Sequence, residues 1–226
     1  MKYSDIRFAF VKLVYGDHNR SSAVKKALKK CMSRLGHDEL ALNVGAGNTN
    51  YDKRIKNLDI FEGEHIDFVG TAEDMPMDDG TFGLVITQEV LEHVQDPFQA
   101  MNEIHRVLKP GGTLYCQLPF IIGYHPGPTD FWRFTKEGIK ELVEKSGFIV
   151  EEQGITVGSS SGFYRIAVEY FAVLFSVILP FLYTAFKALF AVVLYPIKLL
   201  DYIMQFSKQA DRIPGGYYVI AKKVKA

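Results

Sequence analysis

Only two cysteines occur in the 226 residues, Cys31 and Cys116, and they are too few and too far apart for a disulfide framework or a cysteine metal cluster. A reducing compartment is the default, and no metal site is expected. Net charge is also lacking: 26 Lys and Arg balance 26 Asp and Glu, so no global basic field recruits nucleic acid, and no such partner is expected. No cleavable signal is expected at the amino terminus, because Arg7 and Lys12 interrupt the apolar Phe8-Ala9-Phe10-Val11. The catalytic part is therefore expected on the cytoplasmic side. Repeats and low-complexity tracts are absent as well. With 48% hydrophobic residues, the chain can build one sizeable core with an appendage.

The stretch Ala41-Leu42-Asn43-Val44-Gly45-Ala46-Gly47 reads as a buried strand that breaks into a glycine turn. Such a turn is ambiguous alone and needs its context. Lys56 to Ile60 reads as a second strand ending in the carboxylate of Asp59, where a nucleotide-like ligand presents its ribose diol. Gly45 and Asp59 are closer than the roughly 20 residues of a dinucleotide fingerprint. A stunted connecting helix is expected, and a nicotinamide dinucleotide is disfavoured.

Along the chain, Ile6 to Tyr15 and Ser21 to Leu35 read as two helices in a locally basic segment, 1–36, open to two readings: a solvated face or a surface against anionic lipid. Further strands are expected at Ile66 to Gly70, Gly83 to Gln88, Thr113 to Leu118, Phe148 to Val157 and Tyr217 to Val224. Asp96-Pro97 opens a helix with Phe98, Met101, Ile104 and Leu108 on one face, ended by Lys109-Pro110-Gly111-Gly112; Thr135 caps another, stopped by Gly147. This alternation argues for an α/β fold, a parallel sheet covered on both faces.

Ala72-Glu73-Asp74-Met75-Pro76, Val90-Leu91-Glu92-His93-Val94 and Arg106 to Gly112, in that spacing, resemble the class I S-adenosylmethionine-dependent methyltransferases of the type 11 group. The resemblance implies a Rossmann-like, seven-stranded, mostly parallel sheet whose last strand is antiparallel and inserted between the fifth and sixth. It implies S-adenosylmethionine as cofactor, with Asn43, Gly45, Ala46 and Gly47 against its methionine part and Asp59 on the ribose hydroxyls. Ile60 would pack on the adenine face, Ala72, Glu73 and Asp74 would read the adenine edge, and Gln88, Glu89 and Val90 would lie beneath the sulfonium. Four positions depart from the pattern. Asn43 and Gly83 replace acids, Thr49 replaces the third glycine, and Thr71 replaces an acid before Ala72. Asn43 can still bond an ammonium, with less charge assistance.

The segment Tyr124 to Thr135 follows the fifth strand and is expected over the carboxyl ends of the sheet. His125 is the candidate general base, or else a loop histidine bonded to backbone. Asp130 and Arg133 bind a polar acceptor or pair with each other. Trp132 stacks on a sugar or closes the core; His93 supports the strand end rather than abstracting a proton.

Between the last two strands, Tyr170 to Phe186 is 17 residues without a charge, and apolar character continues to Ile197. This is short of the ~20 residues of a spanning helix. Because the last strand must return to the sheet, a single crossing is excluded. The expected organisation is a methyltransferase domain at 37–162 and 207–226, with an apolar helical insert at 163–206. That insert is expected to be a membrane-associated, monotopic hairpin; a homodimer surface and an intramolecular cover are the alternatives. The expected function is methyl transfer to a membrane-associated acceptor such as a lipid-linked glycan. Quinones, lipid head groups and soluble small molecules are alternatives, as is a non-catalytic scaffold on a degenerate methyltransferase fold.

Overall fold

The computed structural model describes residues 21–47 and 53–224. The helix expected over Ile6 to Tyr15, Thr49 and half of the connection expected to be stunted lie outside them. In chain order the elements are α1 (Ser22–Arg34), β1 (Ala41–Val44), β2 (Ile55–Asp59), β3 (Phe68–Val69), β4 (Phe82–Gln88), α2 (Pro97–Val107), β5 (Leu108–Pro119) and α3 (Lys136–Lys145). There follow β6 (Phe148–Val157), α4 (Ser159–Ser176), α5 (Tyr183–Val193), α6 (Pro196–Leu199), α7 (Asp201–Met204) and β7 (Gly216–Lys223). Two compact units result among the described residues: one holds 23–47, 53–119, 125–154 and 217–224, the other 21–22, 120–124 and 155–216.

The strands form one seven-stranded sheet in the order β3-β2-β1-β4-β5-β7-β6. β1 to β5 pair in parallel, and the sheet as a whole is mixed, with β7 inserted between β5 and β6 as the resemblance implied. β1 and β4 are buried along their whole length, which is why their sequences run apolar without alternation. In α1, Val24, Ala27 and Cys31 recur on one face and pack on Leu84, Ile86 and Tyr115 of the sheet. On its outer side Lys25, Lys26 and Lys29 are exposed, while Lys30 pairs with Glu152 and Arg34 with Glu151.

Local signals place the helix ends. Asp96 accepts from the backbone N–H groups of Phe98 and Gln99 at 3.0 Å, with Pro97 opening α2, and Thr135 Oγ accepts from Gly138 N at 3.0 Å to start α3. The buried face of α2 differs from expectation: Ala100, Met101, Ile104 and Val107 are inside while Phe98 is about half exposed. Leu108 is not helical but opens β5. Lys109 to Gly112 lie within that strand as a bulge, where pairing jumps from Phe82↔Leu108 to Leu84↔Thr113 and Gly111 takes φ +76°.

In the other unit α4 and α5 pack side by side. Tyr164, Val168 and Ala191 are buried between them, and Phe171 stacks on Phe190 with ring centroids 5.3 Å apart. Asp201 caps α4, its carboxylate accepting from Ser160 N at 2.8 Å and Ser161 N at 3.0 Å. Pro180 and Pro196 each begin a new helical turn, so the apolar run is broken into short pieces. Much of its outer surface is apolar and open to solvent, with Ile178, Phe181 and Phe206 each at least 80% exposed.

Candidate functional site

A cavity of about 530 Å³ opens at the carboxyl ends of β1, β2 and β4. Parallel strands end there with their chains diverging into loops, which leaves a crevice. Of the sequence-derived cofactor residues, Gly45, Gly47, Asp59, Ile60, Ala72, Glu73, Glu89 and Val90 line it.

Each is held by its local chemistry. Gly45 and Gly47 sit at φ +66° and +54°, a left-handed conformation that disfavours any side chain. Asp59 ends β2 with its carboxylate accepting from Gly47 N at 2.7 Å and Phe61 N at 3.1 Å, which ties the glycine turn to the second strand. Glu73 accepts from Asp96 N at 2.9 Å, joining the wall to the start of α2. The segment behind Ala72 and Glu73 is anchored by Arg106, whose guanidinium donates to Met75 O at 2.9 Å, Met77 O at 2.6 Å and both oxygens of Glu103. Glu103 in turn accepts from Met75 N at 2.9 Å, and Arg106 holds its carboxyl below the usual range.

Four of the proposed cofactor residues stand off the cavity wall. Asn43 is buried and donates to Asn57 Oδ1 at 3.1 Å; a neutral amide suits this interior pairing where an aspartate would bury a charge. Ala46 is buried with its N–H on Leu58 O, and Asp74 turns back on Thr71. Gln88 donates inward to Gln117 Oε1 at 3.2 Å. The departure at Gly83 also has a packing cause: a Cβ there would lie 2.6 Å from the Glu39 carboxylate.

Glu89 takes φ +57°, a strained conformation for a non-glycine residue, and sits at the cavity with Gln117 donating to its Oε1 at 3.0 Å. Burial raises its carboxyl above the usual range. Glu92 is fully buried, and burial followed by the neighbouring Glu89 pushes its carboxyl well above that range.

His125, Asp130 and Arg133 come together, although none of the three is on the cavity wall. Arg133 grips Asp130 through two bonds of 2.6 Å, and Asp130 Oδ2 also accepts from His125 N at 2.9 Å. The hydrogen bonds from Arg133 hold the Asp130 carboxyl down at about 2. Asp130 and Arg133 thus pair with each other, the second of the two readings open from sequence, and together they brace the loop. Trp132 donates its indole N–H to Val94 O at 3.0 Å. His93, taken from sequence as a support, lies on the cavity wall. Its ring meets that of His125 edge to face at 5.3 Å, and both face Glu92. Sequence reading missed this three-residue cluster; the short spacing Glu89-x-x-Glu92-His93 was its visible part.

The profile of the type 11 methyltransferase domain matches residues 25–116. A protein of Mycolicibacterium smegmatis described as a probable S-adenosylmethionine-dependent methyltransferase is 32% identical over 89 residues, covering 37% of this chain and 35% of that one. The demethylmenaquinone methyltransferase of Chlorobaculum tepidum is 41% identical over 80 residues, 34% of this chain and 33% of its own. The chain thus spans about a third of the length of these curated relatives. Phosphoethanolamine N-methyltransferase 2 of Haemonchus contortus, solved with S-adenosyl-L-methionine, superposes with a TM-score of 0.55 at 15% identity, over 99% of this chain and 58% of its own. Residues 25–116 thus match the type 11 group of class I S-adenosylmethionine-dependent methyltransferases, and it is over this stretch that the chain is similar to them.

Proposed function

We propose that this protein transfers a methyl group from S-adenosylmethionine to an acceptor at a membrane surface. The observation that carries the methyl-transfer part is the cavity at the strand ends of a type 11 domain, with a glycine cradle on one side and an acid on the other. The residues suit this cofactor: a Cβ on Gly47 would meet nothing within 4 Å among the described residues, so the turn leaves room beside the wall. Asp59, already oriented by two backbone N–H groups, keeps acceptor capacity for ribose hydroxyls. The half-exposed Ile60 offers an apolar surface for the adenine ring, and Ala72 and Glu73 border its edge. When bound, the cofactor supplies a methyl group activated for displacement. The chain's own task is then to position the acceptor and, for a hydroxyl, to take its proton.

Membrane attachment is supported by the apolar insert. Pro180–Met204, 25 residues of successive short helices, is long and apolar enough by length and composition to cross a membrane. The chain leaves the sheet at β6 and re-enters it at β7, so a single crossing is excluded, and an interfacial or re-entrant hairpin fits best. Such exposed apolar area on a monomer calls for a partner, and lipid is the one we assign. A lipid-linked glycan is the acceptor proposed first. A quinone is the second reading, favoured by the likeness to the demethylmenaquinone methyltransferase.

Two measurements test this. Calorimetry with S-adenosylmethionine is expected to give one site; absence of binding sinks the enzymatic reading. Labelled-methyl transfer into total membrane extract, with the product class identified, separates glycan from quinone, and label found only in the aqueous fraction refutes the membrane-associated acceptor.

A further inference from the structure

Neither carboxylate oxygen of the fully buried Glu92 has a hydrogen-bond partner among the described residues. A carboxylate taken out of water without donors is costly, and structures keep one where something else supplies the missing charge. Two imidazoles flank it, with Nε2 of His93 at 3.6 Å and Nε2 of His125 at 3.9 Å from Glu92 Oε1. One ligand atom from each of the three residues lies within 4.8 Å of the others.

These separations bear on two occupants. A shared proton needs heavy atoms within about 3.2 Å. A metal ion with bonds of about 2.1 Å in tetrahedral geometry holds its ligands roughly 3.4 Å apart, nearer to what is seen.

Both imidazoles turn Nε2 toward Glu92. His93 Nδ1 is hydrogen-bonded to the carbonyl of Thr129, so the proton sits on Nδ1 and the Nε2 lone pair points toward Glu92. Nδ1 of His125 accepts from Arg133 Nη2 at 3.2 Å, and its Nε2 is turned to Glu92. Ligation at Nε2 therefore requires the ring proton to move to Nδ1 and that atom to exchange Arg133 for Asp130 Oδ2, 3.6 Å away. The two chain segments are locked together: Phe131 N donates to Glu92 O at 2.7 Å, and Thr129 Oγ1 donates to His93 O at 2.7 Å. The three side chains are therefore held close together before any ion arrives.

We propose that Glu92, His93 and His125 form a binding site for one divalent transition-metal ion in the wall of the cavity. Two imidazoles with one carboxylate favour zinc, cobalt, nickel, manganese or ferrous iron over magnesium or calcium, which prefer all-oxygen sites. Three protein ligands leave at least one coordination position open. His93 belongs to the cavity lining, so an acceptor hydroxyl is the natural occupant of that position, and the substrate class narrows to oxygen nucleophiles. That narrowing rests on the methyltransferase reading; the metal site does not.

The test uses the full chain stripped with a chelator and titrated with Co²⁺, read by ligand-field absorption, with Zn²⁺ as competitor and melting followed in parallel. Expected are one equivalent of Co²⁺ displaced by Zn²⁺, a Zn²⁺-dependent rise in Tm, and at least a 100-fold loss of Co²⁺ affinity in both Glu92→Gln and His93→Gln. Metal-free melting curves of the variants show that each is folded. No Co²⁺ binding by the wild type, or unchanged binding in both folded variants, overturns the proposal. Calorimetry with S-adenosylmethionine on the same sample separates the two readings: Co²⁺ binding without cofactor binding leaves the metal site standing and removes methyl transfer.

Discussion

A methyl group placed on Gly45 would stand 2.4 Å from Cγ2 of Val90, so the turn after β1 and the second residue after β4 touch only because one side chain is missing. Both residues line the cavity, and the contact sets its inner wall. Gly45→Ala is expected to lower S-adenosylmethionine affinity at least tenfold and to cost about 1–2 kcal/mol through the positive φ alone. Adding Val90→Ala relieves the clash but not the φ, so calorimetry should find partial recovery. Full affinity in Gly45→Ala alone would show that the turn is not where the cofactor lies.

Arg106 and Glu103 hold the Met75 to Met77 backbone from behind, next to Ala72 and Glu73 on the wall. Arg106→Gln is expected to cost about 2 kcal/mol by leaving charge-assisted bonds unmade, and to weaken cofactor binding severalfold without touching the cavity. The pH dependence has a definite sign. Arg106 lowers the Glu103 carboxyl, so the pair stabilises the fold above about pH 4.3, the usual glutamate value, and that contribution disappears as pH falls through the lower folded value. Urea unfolding of wild type and Glu103→Gln should therefore differ at pH 7 and converge toward pH 3. An undiminished gap at pH 3 would rule the ion pair out as its source.

Asp130, with its side chain almost wholly buried, depends on Arg133 for two of its hydrogen bonds. Arg133→Met is expected to cost about 2–3 kcal/mol because it leaves a buried carboxylate underpaired. Arg133→Lys should restore only part of this, since an ammonium cannot make the same two-pronged grip. Thermal melting ranks the three proteins, and equal Tm values for wild type and Arg133→Met would contradict the bracing role.

Ile178 and Phe181 are 83% and 80% exposed, so charges placed there should leave the fold intact. Ile178→Asp with Phe181→Asp is expected to reduce flotation with anionic lipid vesicles at least tenfold, since each apolar side chain contributes about 1.5–3 kcal/mol when buried. Circular dichroism should remain unchanged. Undiminished flotation would place the lipid contact elsewhere or remove it.

What the sequence determined by itself is what local chemistry decides. Asp96 before Pro97, Thr135 at a helix start and Gly147 at φ +86° after a helix end act over one turn of chain, and they are where expected. The apolar runs of β1 and β4 and the acid closing β2 are equally local, and from them the sheet and one side of the cavity follow. Tertiary packing decided the rest. The buried face of α2 excludes Phe98, and Lys109 to Gly112 join a strand, because a neighbouring β4 offers them pairing that a lone segment cannot have. Asn43 faces Asn57 rather than the cavity for the same reason. Glu92 and His125 stand 33 positions apart, and no spacing rule connects them. They meet because Phe131, Thr129 and Trp132 tie one loop to the other, bringing a buried carboxylate and two imidazoles to one place.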